Sequence, residues 1–325
     1  MTDLDLQTSQ SNSDDPRAWQ LVERVVDRSL NEQRKARRWG IFFKLLTFAY
    51  LFGAVALFWP RTEAIGALPS GSHVAMVQIK GVIADEEMAN ANAVAGSLRK
   101  AFENDECKAI MLTINSPGGS PVQSGMIYDE INRLQEIHPD KPVYASISDL
   151  GASGAYYIAV AADHIYADKA SLVGSIGVVG SSFGFVDTME KLGVERRMFT
   201  AGEHKGFLDP FSPLNDAEKT FWEGVLQVTH NQFIATVREG RGDRLKDNPD
   251  LFSGLVWSGE QALEMGLIDG LGSAGYVARE VIGEENIVDY SHRLNPLERV
   301  VRQLGASMGD AIVSSILGTT ALKLH

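Results

Sequence analysis

From Gly40 to Trp59 the chain runs almost without a polar side chain, and it stops at Pro60. A helix of that length, at ~1.5 Å per residue, covers about 30 Å, the thickness of the hydrocarbon core of a bilayer. Its one charge, Lys44, lies about a turn inside the basic end, where a long side chain can snorkel back to the headgroups. Trp39 and Trp59 bracket the stretch as interfacial anchors do. The segment reads as one N-terminal transmembrane helix over residues 40–59.

The flanks set its orientation. Arg24, Arg28, Arg34, Lys35, Arg37 and Arg38 precede it, whereas Arg61 is the sole Lys or Arg between residues 60 and 79. The positive-inside rule puts the N-terminus in the cytoplasm and everything after Pro60 across the membrane. A cleaved signal peptide is the alternative. The long basic arm, the long apolar run and the lack of a small-x-small site directly after it argue against that.

The expected organisation follows. Residues 1–39 form a cytoplasmic tail with a basic juxtamembrane helix, 40–59 the span, 60–72 a linker, 73–292 an α/β domain, and 293–325 a C-terminal segment with no assigned role. Residues 296–317 have the spacing of an amphipathic helix, with Val300, Leu304, Met308 and Ile312 on one face. The chain has 325 residues, enough for a sizeable core. Its formal net charge of −12 argues against a nucleic-acid partner. Cys107 is the only cysteine, so no internal disulfide forms. The histidines are scattered and none pairs with another at a metal-binding helical spacing, so no metal or cofactor is expected.

From His73 onward, strand and helix patterns alternate, which predicts parallel βαβ units. Val74–Ile79, Ala109–Ile114 and Val143–Ile147 read as strands. Asn90–Phe102 reads as a helix with Val94, Leu98 and Phe102 on one face. A second helix starts at Ser120-Pro121, with Ile127, Ile131 and Leu134 inward, and a third covers Gly154–Ala162. Asn215 to Glu239 reads as a long helix with an Asn215/Glu218 capping box and an apolar face of Phe221, Val225 and Val228. Ser258 and Gln261 open a short helix that Gly266 stops.

Two glycine-rich turns follow predicted strands: Asn115-Ser116-Pro117-Gly118-Gly119, and Asp149-Leu150-Gly151-Ala152-Ser153-Gly154-Ala155. In a parallel sheet both turns fall at the carboxyl ends of strands, where ligands bind. The second puts a serine at a helix start, where free N–H groups and the positive end of the macrodipole favour a developing oxyanion. The first would add an N–H from Gly118 or Gly119. Read alone, the first turn is better explained as a helix cap; together the two point to catalysis.

A nucleophilic serine needs a base. His164 sits at the far end of the predicted Gly154 helix, roughly 15 Å along at 1.5 Å per residue. Residues 165–203 contain no histidine, and His204 would point away from Lys205 in an extended segment. His73, His138, His230, His292 and His325 carry no local signature. Lys205, in Gly202-Glu203-His204-Lys205-Gly206-Phe207-Leu208, is the other candidate. A free lysine has a pKa near 10.4, and lowering it to about 7 costs roughly 4–5 kcal/mol, which burial in an apolar site can impose. A solvated loop lysine is the alternative.

At this point the sequence resembles the short form of the signal peptide peptidase SppA family, within the Clp/crotonase superfamily. Gly151-Ala152-Ser153-Gly154-Ala155-Tyr156-Tyr157 is similar to that family's nucleophile segment, Asn115–Gly119 to its oxyanion turn, and Thr200-Ala201-Gly202-Glu203-His204-Lys205 to its general-base segment. Ser171-Leu172-Val173-Gly174-Ser175-Ile176-Gly177-Val178 matches the stretch between them, and Gly266-Leu267-Ile268-Asp269 a motif of the superfamily. The likeness covers residues 73–285. Ala155 stands where many relatives carry a second glycine.

The resemblance implies a crotonase/Clp-like α/β spiral of ββα units. It implies Ser153 as nucleophile, Lys205 as general base and acid, Ser175 as the hydroxyl that orients the lysine, and Gly118, Gly119 and Gly154 as oxyanion donors. It further implies a ring-shaped homo-oligomer, an octamer, with serine and lysine from adjacent protomers. The substrates would be cleaved signal peptides, and the location the outer face of the bacterial inner membrane. Two other readings share the fold: a SohB-like periplasmic protease with other substrates, and a crotonase-type acyl-CoA enzyme, which uses acidic residues and needs no serine at the helix start.

Overall fold

The computed structural model describes residues 16–58 and 71–293. The chain divides into two compact units, Met1–Gly66 and Ala67–His325. The described residues of the first form a helix, α1 (Pro16–Phe58), in which the expected basic helix and residues 40–58 of the expected span are continuous. Its residues Ile41, Phe42, Phe43, Leu45, Leu46 and Phe48 are exposed. Among the described residues no helix is both long and apolar enough to cross a membrane. Trp59, most of the linker and the proposed helix at 296–317 lie outside the described residues.

The second unit is built on an eight-stranded sheet. Its centre is β1 (His73–Lys80) and β2 (Cys107–Ser116), which pair in parallel from Val74/Ala109 to Lys80/Asn115. The continuous apolar run of β2 is explained by burial on both faces. Ile110, Leu112 and Ile114 enter the main core, while Met111 joins a smaller cluster with Val74, Val277 and Ala278 on the other side. Two connecting helices cover the main face: α2 (Ala91–Phe102), capped by Asn90, and α3 (Pro121–Ile137), capped by Ser120. Val94, Leu98, Phe102, Ile127, Ile131 and Leu134 are buried beneath them as the periodicity requires.

The next strand, β3 (Val143–Ala152), runs past the expected end at Ile147. Its first half pairs with β4 (His164–Ala167) through Tyr144–Ile147, and its second with β5 (Leu172–Gly174) through Leu150–Ala152. Between its two halves the register with β2 shifts, from Ile114/Ile147 to Ser116/Gly151. Through Ser153, β3 leads into α4 (Gly154–Ala159), which stops short of the expected Ala162. The sheet is completed by β6 (Val256–Ser258), antiparallel to β5, by β7 (Gly270–Leu271) beside β4, and by β8 (Ile287–Asp289) beside β1.

Two further helices lie between β5 and β6: α5 (Val186–Leu192) and α6 (Asp216–Arg241). Asn215 caps α6 by accepting from the Ala217 N–H, but the expected capping box does not close, because the Glu218 carboxylate accepts from the Leu208 N–H instead. The apolar face read from the sequence is not the one the helix buries. Phe221, Val225 and Val228 are exposed, and α6 buries Phe233, Thr236, Val237 and Arg241 further along. In contrast, α7 (Gly259–Glu264) has the capping box between Ser258 and Gln261. A short turn, α8 (Ala274–Tyr276), runs on into a π-helical stretch before β8.

Candidate active site

Ser153 occupies the junction between β3 and α4 in a conformation that side-chain-bearing residues rarely adopt, φ 53° and ψ −125°. Such backbone costs of order 1–3 kcal/mol and persists only where the surroundings enforce it. Here they do. The Ser153 N–H donates to the Gly174 carbonyl of β5 at 2.8 Å, and its carbonyl accepts from the Tyr157 N–H at 3.0 Å. Tyr156 is fully buried and donates its hydroxyl to the Leu267 carbonyl at 2.6 Å, which fixes α4 from behind. Burial pushes the Tyr156 phenol well above its ordinary pKa, so it acts as a neutral donor.

The glycine turn after β2 packs against this junction. A methyl built on Gly118 would come within 2.6 Å of the Gly154 nitrogen and 2.9 Å of the Ser153 Cβ. One built on Gly119 would come within 2.1 Å of the Ile83 carbonyl oxygen. Only glycine allows the two turns to approach this closely. Of the three expected oxyanion donors, Gly118 has its N–H engaged: it donates to Ser116 Oγ at 3.1 Å, and its carbonyl accepts from the Ile83 N–H. Gly154, at the first position of α4, has no carbonyl four residues back in the helix for its N–H. The nitrogen of Gly119 lies 3.3 Å from the point where a Gly154 methyl would be. These adjacent amides are the pair suited to a developing oxyanion.

A cavity of about 450 Å³ opens over the junction. Ser153, Gly119, Gly154 and Ser175 line it, together with Tyr157 and Phe233. Ser175 has the same uncommon backbone sign, φ 51°, and donates its N–H to the Leu255 carbonyl at 2.8 Å. Lys205 is not brought into this cavity. It is exposed in the turn after Gly202, with its N–H directed to the Gly202 carbonyl at 3.2 Å. His204 is exposed beside it, and His164 stacks on Tyr144 with centroids 5.5 Å apart.

Two residues that the sequence did not single out belong to the cavity. Ser124, one turn beyond the Ser120 cap of α3, is fully buried, and its hydroxyl finds no partner among the described residues. His230, on α6, approaches the Ile176 carbonyl with Nε2 at 3.1 Å. The helical spacing from Ser120 was a weak signal for the first. The second had none, since its partner lies 54 residues away.

Known proteins are similar in sequence over this part of the chain. The sequence model of the Clp proteases matches residues 73–169, and that of peptidase family S49 matches residues 135–287. Protease 4 of Haemophilus influenzae is 34% identical over 62% of this chain and 33% of its own length. A putative protease of Synechocystis is 32% identical over 62% of this chain and 70% of its own. A Brucella abortus protein named as the Na(+)/H(+) antiporter NhaA is 47% identical over 59% of this chain, but the match covers only 26% of that protein. The chain thus spans about a quarter to a third of the first of its curated relatives.

The matched sequence models are those of peptidase families, and the fold beneath them is a Clp-like mixed α/β domain. The chain belongs to peptidase family S49, the SppA/SohB type. The acyl-CoA alternative falls with that assignment.

Proposed function

We propose that the protein is a membrane-anchored serine endopeptidase that degrades cleaved signal peptides at the outer face of the bacterial inner membrane, with its N-terminus in the cytoplasm. In this reading Ser153 Oγ attacks the scissile carbonyl while neutral Lys205 Nζ of a neighbouring copy takes the hydroxyl proton. The Gly119 and Gly154 N–H groups hold the oxyanion. The same lysine then protonates the departing amine, and water releases the acyl group from Ser153. Ser175 orients the lysine. The domain is read as a spiral of ββα units, a reading supported by the division of β3 between β4 and β5. The anchor rests on the apolar run of residues 40–59 and its basic flank.

One observation carries the proposal. The serine and its two amides, which have no partner among the described residues, share a cavity, whereas Lys205 lies in a stretch with many exposed apolar side chains. Val179 is 87% exposed and Phe199 92%, and Phe183, Leu192, Leu214, Phe221 and Val228 add to them. So much exposed apolar surface suits a protein interface. A second copy covering it supplies a lysine that the cavity lacks, which supports a homo-oligomer, read as an octameric ring.

The test is complementation with the full chain in detergent. Ser153→Ala and Lys205→Ala should each be inactive on a fluorogenic apolar peptide. Unfolded together and refolded as a mixture, they should regain a measurable part of wild-type activity, because some interfaces then join an intact serine to an intact lysine. No recovery, with assembly intact by sedimentation, would mean that the two residues do not act across copies.

A further inference from the structure

The structure assigns to His230 the task of holding the Ser175 turn in its active shape; we infer that it is a positioning residue, not the base. The inference rests on the reading of Ser175 as the hydroxyl that orients Lys205. Nε2 of His230 lies 3.1 Å from the Ile176 carbonyl oxygen. A carbonyl only accepts, so Nε2 carries the hydrogen and donates it. That nitrogen is therefore committed, and the bond spans from α6 to the residue after Ser175.

Ser175 has need of such a hold. At φ 51° it lies in the region that disfavours a side chain, and it adjoins the cavity rather than being packed on all sides. Strain of this kind is kept only where neighbours enforce it. Two cross-element bonds flank it. On one side the Ser175 N–H donates to the Leu255 carbonyl at 2.8 Å. On the other, His230 grips the Ile176 carbonyl, while the Ile176 side chain is fully buried in the core. Remove the histidine and the Ile176 carbonyl, on the residue after Ser175, loses its only side-chain donor among the described residues. The Ser175 hydroxyl is then free to leave the orientation a lysine base would need. Misplacement on this scale lowers turnover more than binding.

The test compares full-length wild type, His230→Ala, His230→Gln and Ser175→Ala on the same peptide, each with a thermal melt. Glutamine keeps an N–H within reach of the carbonyl but cannot act as a base. His230→Ala should lower kcat about tenfold or more with KM changed less than about threefold. His230→Gln should restore kcat to within about threefold of wild type, with the same acid limb in the pH profile. Wild-type kcat in His230→Ala would overturn the inference. So would a His230→Gln as inactive as the alanine, since the imidazole would then be reacting itself. If His230→Ala melts below the assay temperature, His230→Gln and His230→Glu at pH 8 carry the test: they share a shape, but only the amide donates, so equal kcat overturns the inference. A fully active Ser175→Ala overturns the reading of Ser175 and this inference with it. An inactive Ser175→Ala beside a fully active His230→Ala overturns the inference alone.

Discussion

A methyl on Gly154 would lie 2.4 Å from Ser124 Oγ, 3.3 Å from the Gly119 nitrogen and 3.5 Å from Ser124 Cβ. The hydroxyl is therefore the main obstacle, with a smaller squeeze against the Gly119 nitrogen. It is also an uncompensated group, buried without a partner among the described residues, and such groups cost about 1–3 kcal/mol. Ser124→Ala should thus leave the melting temperature unchanged or raise it. Gly154→Ala should lower it, and the double variant should recover most of the loss, with a coupling of about 1–3 kcal/mol by denaturant titration. Additive effects would show that the clash is not what demands glycine at 154. At this scale the sequence was legible where chemistry is local. Ser153 and the glycines around it announced themselves by clustering in two short turns, whereas His230 and Ser124 depend on contacts made only after folding.

Among the elements, α6 is held at its C-terminal end. Arg241 is fully buried and forms a two-pronged bond to Asp269, with N–O distances of 2.8 and 2.9 Å, while its Nε donates to the Gly266 carbonyl. Asp269 also accepts from the Ile165 N–H of β4. The motif Gly266–Asp269 is accordingly a brace between α6, β4 and α4, with Tyr156 bound to Leu267 in the same turn. Burial pushes the Asp269 carboxyl up, but the Arg241 guanidinium and the Ile165 N–H outweigh it and hold the group below the usual carboxylate range. Asp269→Ala should cost about 3–5 kcal/mol, because it leaves the Arg241 charge buried and unpaired. A folded pKa below the unfolded one gives stability that is complete above roughly pH 4 and lost as pH falls through the depressed value. Glu130 follows the same rule, held down to about 2 chiefly by Arg133, and also by Arg99. Wild type should therefore weaken progressively below pH 4, and Asp269→Ala should show a shallower pH dependence in the same window. An equal slope in both would remove Asp269 from the account. The caps at Ser120 and Ser258 were readable from sequence because each acts within one turn of its own helix. The extension of β3 and the failed box at Glu218 were not, since β5 and the Leu208 N–H decide them from a distance.

For the whole molecule, the alternation of strand and helix made the parallel core legible, because burial on both faces leaves a continuous apolar run such as Ala109–Ile114. The exposure of Phe221, Val225 and Val228 was not legible: a periodic apolar face says that something covers it, not whether that is the same chain. The central claim is that Ser153 is the nucleophile of this peptidase. The most direct measurement is covalent labelling of the full chain with a fluorophosphonate, followed by peptide mapping in a mass spectrometer. The account predicts one adduct, on the peptide that contains Ser153, its formation in step with the loss of peptidase activity, and no adduct in Ser153→Ala. An adduct on another serine that tracks the loss of activity, or full inactivation with Ser153 unmodified, would contradict it.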